Sequence, residues 1–335
     1  MGKKSRSEIL ICHQTVPDDA LPDEKDVLEQ TEKISAALVN LGYDVNVVQA
    51  DSSFSFISSF AGNKPLAVFN LVETFNGNAV NAHLVPLILE QLNIPVTGNS
   101  SSAIFLTTNK VLAKDILLAN NIPTADWHIK GRGEEFQKGM YIFKPVSEDA
   151  SIGITGENLK NLLSSNEADE AIEYFEKKYK IPFFCEKFID GREFNVSVIG
   201  NNGEPRVFFP AEMIFFQNGH ENRVLCYDSK WNEGSEKYDQ SRRTFDLGDE
   251  DRKLIKKLKM ICEKCWKIFK LSGYARVDFR VDSKNTPFVL EINANPCLSP
   301  DSGLFAAAQN EGISYDQLVN IILEESLNEV KGKNS

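Results

Sequence analysis

The side chains best suited to chemistry lie in two short segments near the C-terminal end of this 335-residue chain. Residues 274–281 and 288–293 are rich in β-branched and aromatic residues, and turn-forming residues link them, so the pattern predicts a β-hairpin. Side chains alternate between the two faces of a strand. One face carries a cation, two carboxylates and an amide: Arg276, Asp278, Glu291 and Asn293. The opposite, apolar face is predicted to hold Val277, Phe279, Leu290 and Ile292.

Hard oxygen ligands of this kind suit Mg²⁺, which keeps several waters and binds one or two protein carboxylates together with substrate phosphates. The two segments contain no soft ligand, so the pattern argues against zinc. A hairpin whose polar face simply meets water would show the same alternation. The hairpin alone therefore leaves a metal site and a solvated surface as equal alternatives.

Two lysines elsewhere are candidates for binding an anion. Lys110 falls in the first turn of a predicted helix, where the helix dipole disfavours a cation, so its ammonium group is expected to contact an anion; a surface lysine is the alternative. Lys144 ends a hydrophobic strand and has no evident acidic partner in the sequence. The loop after it, residues 147–154, supplies hydroxyls, a glycine and backbone amides that can cover a phosphate, although it is not a Walker A sequence.

Composition and charge limit the classes of partner. The net charge of -11 argues against DNA or RNA, because binding to a phosphate backbone depends on Lys and Arg. The first apolar run, residues 9–12, is too short for a secretory signal or a membrane span, so a cytoplasmic protein without a membrane partner is expected. Six scattered cysteines are typical of reduced thiols. Cys262 and Cys265 lie on a helical apolar stripe and are predicted to pack in the core.

The first hundred residues alternate between apolar strands and helices. Strands are predicted at 9–12, 45–48, 66–71 and 95–97, and helices at 27–41 and 83–92. This alternation predicts a parallel, doubly wound sheet. Such sheets bind ligands beyond the carboxyl ends of their strands, where loops 13–23 and 73–79 are polar and acidic. These loops are predicted to recognise a cationic amine, with ordinary solvated loops as the alternative.

Four runs of residues have, in order, the spacing of one known superfamily. They are Phe143-Lys144-Pro145, Glu186-Lys187-Phe188-Ile189-x-Gly191-x-Glu193-Phe194, Arg276-Val277-Asp278 and Leu290-Glu291-Ile292-Asn293-x-Asn295-Pro296. Through these runs the chain resembles the ATP-grasp superfamily, specifically enzymes like D-alanine-D-alanine ligase, over nearly its whole length. The resemblance implies an α/β (α+β) fold with a doubly wound, Rossmann-like N-terminal domain over residues 1–105. Central and C-terminal ATP-grasp subdomains would follow over residues 106–184 and 185–330.

The resemblance also implies how ATP and two Mg²⁺ ions, replaceable by Mn²⁺, are held. The residues that match ATP contacts are Lys110, Lys144, Glu186, Lys187, Ile189 and Glu193. Those that match metal ligands are Asp278, Glu291 and Asn293. Three residues match catalytic positions, namely Arg276 beside the developing oxyanion, Lys230 in a lid and Ser151 in the loop over the phosphates.

The substrate side departs from the family pattern. The loop over the phosphates has Asp149-Ala150-Ser151 where two serines are expected, and Cys297 stands in place of a glycine. The turn after the first strand lacks the glutamate that holds the first D-alanine amine in the family, and Asp23 is the nearest acid. Ser302 matches a serine near the carboxylate of the second substrate, but Gly303 replaces its apolar neighbour.

Taken with the resemblance, an intact ATP half and an altered substrate half predict an ATP-dependent ligase that joins a small-molecule carboxylate to an amine through an acylphosphate. The expected substrates are amino acids or small peptides other than D-alanine. Two alternatives are a true D-alanine-D-alanine ligase and a nucleotide-binding regulatory module without turnover. The complete set of metal ligands argues against the regulatory module. Similar ligases are often dimers, so the resemblance leaves a homodimer open.

Overall fold

The computed structural model describes residues 7–61, 64–131, 136–148, 156–216 and 241–333. Within these ranges the chain forms three β-sheets in succession, each packed against helices. The mixed α/β class predicted from the sequence is confirmed. None of the helices described here is long and apolar enough to cross a membrane.

The first sheet is parallel and has three strands in the order β2-β1-β3. The strands are β1 (Glu8–Gln14), β2 (Asp44–Ala50) and β3 (Ala67–Asn70). The helices around it are α1 (Pro22–Asn40), α2 (Ile57–Ala61) and α3 (Leu84–Gln91). The apolar stripe of α1 packs against β1 and β3 in one core, through Val27, Ile34, Leu38, Ile9 and Phe69. The predicted alternation of strands and helices around a parallel sheet is therefore confirmed.

Two details of this sheet differ from the sequence prediction. Residues 45–48 are predicted to be a buried strand, but β2 lies at the sheet edge and Val47 is 49% exposed. A short apolar run shows that a strand is present but does not show where it lies in the sheet, and edge strands have fewer neighbours to cover them. Residues 95–97 contribute a single parallel bridge, between Val96 and Val68, rather than a full strand.

The second sheet is antiparallel, with the strand order β4-β7-β5-β6. Its strands are β4 (Trp127–His128), β5 (Gly139–Pro145), β6 (Leu159–Leu162) and β7 (Phe183–Lys187). Two helices, α4 (Ser101–Thr108) and α5 (Lys110–Ala119), precede it, and α6 (Ser165–Tyr179) packs on one face. The side chains of α6 in that core are Ala168, Ala171, Ile172 and Phe175. These residues form the stripe that predicted the helix.

The third sheet is antiparallel and has the order β11-β10-β8-β12-β13, with β9 paired to β8. Its strands are β8 (Arg192–Asn201), β9 (Glu204–Val207), β10 (Ala211–Phe215), β11 (Ser241–Thr244), β12 (Tyr274–Val281) and β13 (Pro287–Asn293). The helices that follow or cover it are α7 (Arg252–Ile268), α8 (Gly303–Asn310) and α9 (Tyr315–Lys333). Cys262 and Cys265 on α7 are buried in the core, as predicted.

Strands β12 and β13 form the predicted hairpin, with one irregularity. The pairing runs Asp278 to Glu291 and then Phe279 to Val289, so Leu290 is an extra residue in a β-bulge. Val289 is therefore the residue that packs in the core beside Phe279, whereas Leu290 is half-buried. The prediction that Leu290 shares the core face is wrong, because strict alternation does not continue through a bulge.

The predicted domain boundaries can be compared with the elements of the three sheets. The proposed boundary after residue 105 falls within α4, and the boundary after residue 184 falls within β7. Helices α4 and α5 share one core with β8, β12 and β13, through side chains such as Ile104 and Leu117. The domain division stays a prediction.

Asn99, which follows the first sheet in the sequence, connects that part of the chain to the hairpin. Its buried amide donates to the carbonyls of Tyr274 and Ala294, at 2.6 and 2.7 Å, and its oxygen accepts the N–H of Ser272 at 2.8 Å. Next to it, Gly273 has φ +58°, and a Cβ there would lie 2.6 Å from Gly98. Only glycine fits this close approach of two backbones.

We expect Asn99→Ala to lower the free energy of unfolding by about 1–3 kcal/mol, because it leaves buried backbone groups without partners. The matched control is Asn46→Ala, since Asn46 makes an exposed hydrogen bond to Glu8; its loss is expected to cost less than about 0.5 kcal/mol. Urea denaturation of both variants measures the difference. Equal stability of the two variants would contradict the role of Asn99.

Candidate active site

The polar face of the hairpin brings the predicted metal ligands together. Asp278 and Glu291 are direct cross-strand partners on β12 and β13, which places their side chains side by side. Arg276, the cross-strand partner of Asn293, makes two hydrogen bonds to Asp278, each 2.8 Å long. This paired geometry fixes both the guanidinium group and the carboxylate.

Lys110 adds a cation to this carboxylate cluster. Its Nζ lies 3.7 Å from the Glu291 carboxylate and donates to the backbone carbonyl of Glu148 at 2.7 Å. Lys110 is the first residue of α5, whose N-cap is Asn109. The helix dipole disfavours a cation at this position, so the ammonium group was expected to contact an anion. The contact with Glu291 agrees with that expectation.

Asn293 is held by the loop that follows β13. Its side-chain oxygen accepts the N–H of Asn295 at 3.0 Å. Asn295 is itself fixed, because its oxygen accepts the Tyr274 hydroxyl at 2.8 Å and its amide donates to the carbonyl of Val72 at 3.1 Å. Two carboxylates and an amide oxygen form a donor set that fits Mg²⁺, since an ionised carboxylate can accept more bonds than those it makes here.

Beside this cluster lies a buried triad of Lys114, Glu186 and Lys144. The Glu186 carboxylate is 2.5 Å from Lys114 and 2.6 Å from Lys144, and the side chains of Lys114 and Glu186 are each 1% exposed. Burial alone raises the pKa of Glu186, but the two ammonium groups outweigh it and hold that pKa below the ordinary value. The triad has one more positive than negative charge, and Lys144 is its more exposed member.

This triad changes the interpretation of two predicted ATP residues. Lys144 has no acidic partner in the nearby sequence, but β5 and β7 are neighbours, and that pairing brings Glu186 to it. The expectation that Lys144 lacks an acidic partner is therefore wrong. The side chain of Glu186 is occupied by the two lysines, so it orients Lys144 in addition to the adenine role that the resemblance implies.

The other predicted nucleotide residues lie at the end of β7, just after it, and at the start of β8. Lys187 donates to Gln137 at 3.0 Å, and Ile189 is half-buried. Glu193 is buried and its carboxylate lies 2.8 Å from Arg280. Between them, Gly191 passes so close to β12 that a Cβ would lie 2.0 Å from the carbonyl oxygen of Val281. The roles of these residues in binding a nucleotide stay predictions.

A second group of polar residues lies on α1 and after β3, close to Cys297 in the loop that follows the hairpin. The Cys297 thiol donates to Asp26 at 3.0 Å, and Gln30 donates to Asp26 at 2.9 Å and to Glu73 at 3.4 Å. Burial raises the pKa of the Cys297 thiol well above its ordinary value, and the carboxylates of Asp26 and Glu73 raise it further. Cys297 is therefore a neutral thiol between two acids.

The remaining predicted residues are placed as follows. Ser302 is the N-cap of α8, and its hydroxyl accepts the N–H of Phe305 at 3.2 Å. Asp23 lies in the first turn of α1, and the structure describes its backbone only. Ser151 and Lys230 lie outside the described residues, so their roles stay predictions.

The sequence model of the D-ala D-ala ligase C-terminus family matches residues 131–324, which is more than half of the chain. The chain belongs to this family. The predicted superfamily is thereby confirmed, and with it the enzyme class, an ATP-grasp ligase that forms a carbon–nitrogen bond.

Relatives and solved structures agree with this membership. An uncharacterized protein, y4sG, of Sinorhizobium fredii is 32% identical over 303 residues, which cover 88% of this chain and 86% of that protein. A D-alanine--D-alanine ligase of Aquifex aeolicus is 29% identical over 90% of this chain and 96% of its own length. The D-alanine--D-alanine ligase of Bacillus anthracis, solved with ATP, superposes with a TM-score of 0.73 at 20% identity, covering 98% and 99% of the two chains. The ATP-grasp fold is therefore confirmed.

Several site residues of this family member were not predicted from the sequence. Lys114 is four residues after Lys110, so the two share one face of the helix. Arg280 is two residues after Asp278, so the two share one face of the strand. Both residues could therefore have been predicted from their spacing. Asp26 lies three residues after Asp23 on α1, and the sequence analysis named only Asp23. Arg243 on β11 follows an unpatterned stretch, and no local signal distinguishes it.

We expect Glu186→Gln to lower the free energy of unfolding at pH 7 by about 3–5 kcal/mol, because it leaves two buried ammonium groups without a carboxylate. The folded-state pKa of Glu186 is depressed, so its stabilisation is present above the ordinary value of 4.5 and is lost as pH falls through the lower folded value. The difference between wild type and variant should therefore shrink only below about pH 4.5.

Glu173→Gln is the matched control, because Glu173 pairs with Lys130 and Lys177 on the surface. It is expected to change stability by less than about 1 kcal/mol. Urea denaturation across the acid range measures both variants. A Glu186→Gln protein as stable as the control at pH 7 would show that the buried triad is not needed for folding.

Proposed function

We propose that this protein is an ATP-dependent ligase that joins the carboxylate of one amino acid or small peptide to the amine of another, through an acylphosphate. The observation that carries the proposal is the meeting of Asp278, Glu291 and Lys110 on the hairpin beside Lys144 of the buried triad. Carboxylates that can hold Mg²⁺ and lysines that can neutralise phosphate oxygens are what phosphoryl transfer needs. Family membership supports the same chemistry.

ATP is proposed to bind between the second and third sheets. Lys187 and Ile189 would contact adenine, Glu193 the ribose, and Lys144 and Lys110 the phosphates. Asp278, Glu291 and Asn293 would hold Mg²⁺, which, when bound, neutralises charge on the phosphates during transfer. The structure of the Bacillus anthracis ligase complexed with ATP supports nucleotide binding by this fold.

The reaction begins when a carboxylate oxygen of the first substrate attacks the γ-phosphorus of ATP. The P–O bond to ADP breaks and an acylphosphate forms. Lys110 and Lys144 are positioned to reduce the negative charge on the transferring group, and the ion pairs with Glu291 and Glu186 keep both ammonium groups in place before ATP arrives. Groups that are already oriented lower the barrier because they need not reorganise during the step.

The amine of the second substrate then attacks the acyl carbon. A tetrahedral intermediate with a negative oxygen forms, and its collapse releases phosphate and leaves the new amide bond. Arg276 would stabilise this oxyanion, and its two hydrogen bonds to Asp278 fix the guanidinium group in one orientation. A guanidinium group held in this way acts as a preorganised donor.

The substrate side supports amino acids other than D-alanine. Asp26 and Glu73 form an acidic wall that suits an ammonium group, in agreement with the amine site predicted for loop 73–79. Asp26 is joined to Cys297, and Cys297 occupies the position where the family has a glycine. A thiol in place of a hydrogen atom reduces the space beside the acyl group.

A D-alanine-D-alanine ligase is the second candidate, because a relative with 29% identity over most of both chains carries that name. The deciding experiment incubates the purified protein with Mg-ATP and single or paired L- and D-amino acids, and weighs the products by mass spectrometry. We expect ADP, phosphate and a condensed product from a pair other than D-alanine. Product from D-alanine alone would support the second candidate, and ATP binding without turnover by any pair would contradict the ligase proposal.

We expect Glu291→Gln to reduce ATP-dependent product formation by about 10²- to 10³-fold, because the variant loses one charge from the proposed metal site. Glu263→Gln on the exposed side of α7 is the matched control and should retain full activity. The rate of ADP release measures both variants. Near-normal turnover by Glu291→Gln would exclude the hairpin as the phosphoryl-transfer centre.

A further inference from the structure

Arg243 on β11 has a guanidinium group without a carboxylate partner among the described residues. Its Nη1 donates to the backbone carbonyl of Asp301 at 3.3 Å, and its buried Nε–H has no hydrogen-bond partner in that part of the chain. Four other arginines of the third sheet each pair with a carboxylate, namely Arg192, Arg206, Arg276 and Arg280. A buried N–H without an acceptor is costly, so this nitrogen is a candidate donor to a bound ligand.

The surroundings of Arg243 contain charges of both signs. Burial lowers the pKa of Arg243 and the neighbouring charge of Arg276 lowers it further, whereas the Asp301 carboxylate raises it. The guanidinium also lies at the first residue of α8, and the N-terminus of a helix carries a partial positive charge. Arginine stabilises a helix at its C-terminus, so the position of Arg243 is not explained by the stability of α8.

Gly303 lies against this guanidinium. A Cβ at Gly303 would lie 3.5 Å from Nη2 of Arg243, in ordinary van der Waals contact. A larger side chain would extend over the nitrogen. The family resemblance implies an apolar residue at position 303, and glycine in its place leaves more space beside the guanidinium.

Arg243 lies on the substrate side of the candidate site. Arg276 and Asp301 are near enough for their charges to act on it. Ser302, the N-cap of α8, is the residue predicted to lie near the carboxylate of the second substrate. If Ser302 has that role, the start of α8 would bind one carboxylate, and Arg243 would offer a cationic group near it.

We propose that Arg243 binds a side-chain carboxylate of the amine substrate, so that this substrate is a dicarboxylic amino acid of the aspartate or glutamate class. The inference rests on the proposed function and names the substrate class of the same site. Parallel N–H donors of a guanidinium group match the two oxygens of a carboxylate, and the neutral amides asparagine and glutamine cannot supply the charge.

The test measures binding by calorimetry, using the full chain with Mg²⁺ and a non-hydrolysable ATP analogue. The probes are both enantiomers of aspartate and glutamate, and of asparagine and glutamine. We expect at least one acidic amino acid to bind roughly ten- to a hundredfold more tightly than its amide. Arg243→Met should remove this preference, and Arg243→Lys should retain part of it.

Two further variants separate the role of Arg243 from general damage to the fold. Arg242→Met changes the adjacent exposed arginine and should leave the preference intact. Gly303→Leu keeps Arg243 but covers the guanidinium, and should weaken binding of the acidic amino acid. Equal binding of acid and amide, survival of the preference in Arg243→Met, or failure of every acidic amino acid to bind would each overturn the inference.

The same proteins are then assayed for ADP and condensed product, which tests the proposed function separately. If the protein joins pairs of neutral amino acids but no pair that contains an acidic one, the ligase function is supported and the proposed role of Arg243 is contradicted. If an acidic amino acid binds through Arg243 but ATP is never consumed with any pair, the substrate class stands and the ligase function falls.

Discussion

The register of β12 against β13 is the constraint on which the candidate site depends. It places Asp278 directly opposite Glu291, and the bulge at Leu290 keeps both carboxylates on the polar face while Val289 and Phe279 remain in the core. A shift of one residue would move one carboxylate into the core, where an ionised group is costly. The side chain of Asn99, which follows the first sheet in the sequence, is hydrogen-bonded to the start of β12 and to the residue after β13. These hydrogen bonds also stabilise the register of the hairpin.

Charge is arranged around the hairpin so that the lysines are oriented before ATP binds. Glu186 holds Lys144 and Lys114 in a buried triad, and Glu291 attracts Lys110. The triad carries one more positive than negative charge, and Lys144 and Lys110 are the groups proposed to contact the phosphates. On the substrate side, Asp26 and Glu73 are proposed to bind the ammonium group of an amino acid, and Arg243 is proposed to bind a carboxylate.

Local periodicity was sufficient to predict the hairpin, α1, α6 and the parallel first sheet, because each depends on residues close together in the sequence. The bulge at Leu290 was not predictable, since strict alternation was assumed throughout the strand. Glu186 and Lys144 are 42 positions apart and meet only through the pairing of β5 with β7, so their contact could not be read from spacing. Arg243 was missed for the same reason, because its environment comes from α8 and β12.

The most direct test of the hairpin's role is a crystal structure of the protein with ADP and Mn²⁺, using anomalous scattering to locate the metal. We predict Mn²⁺ within about 2.0–2.3 Å of carboxylate oxygens of Asp278 and Glu291, with Lys110 and Lys144 directed at the phosphates. Bound ADP with Mn²⁺ that contacts neither carboxylate would contradict the claim that the β12–β13 hairpin is the phosphoryl-transfer centre.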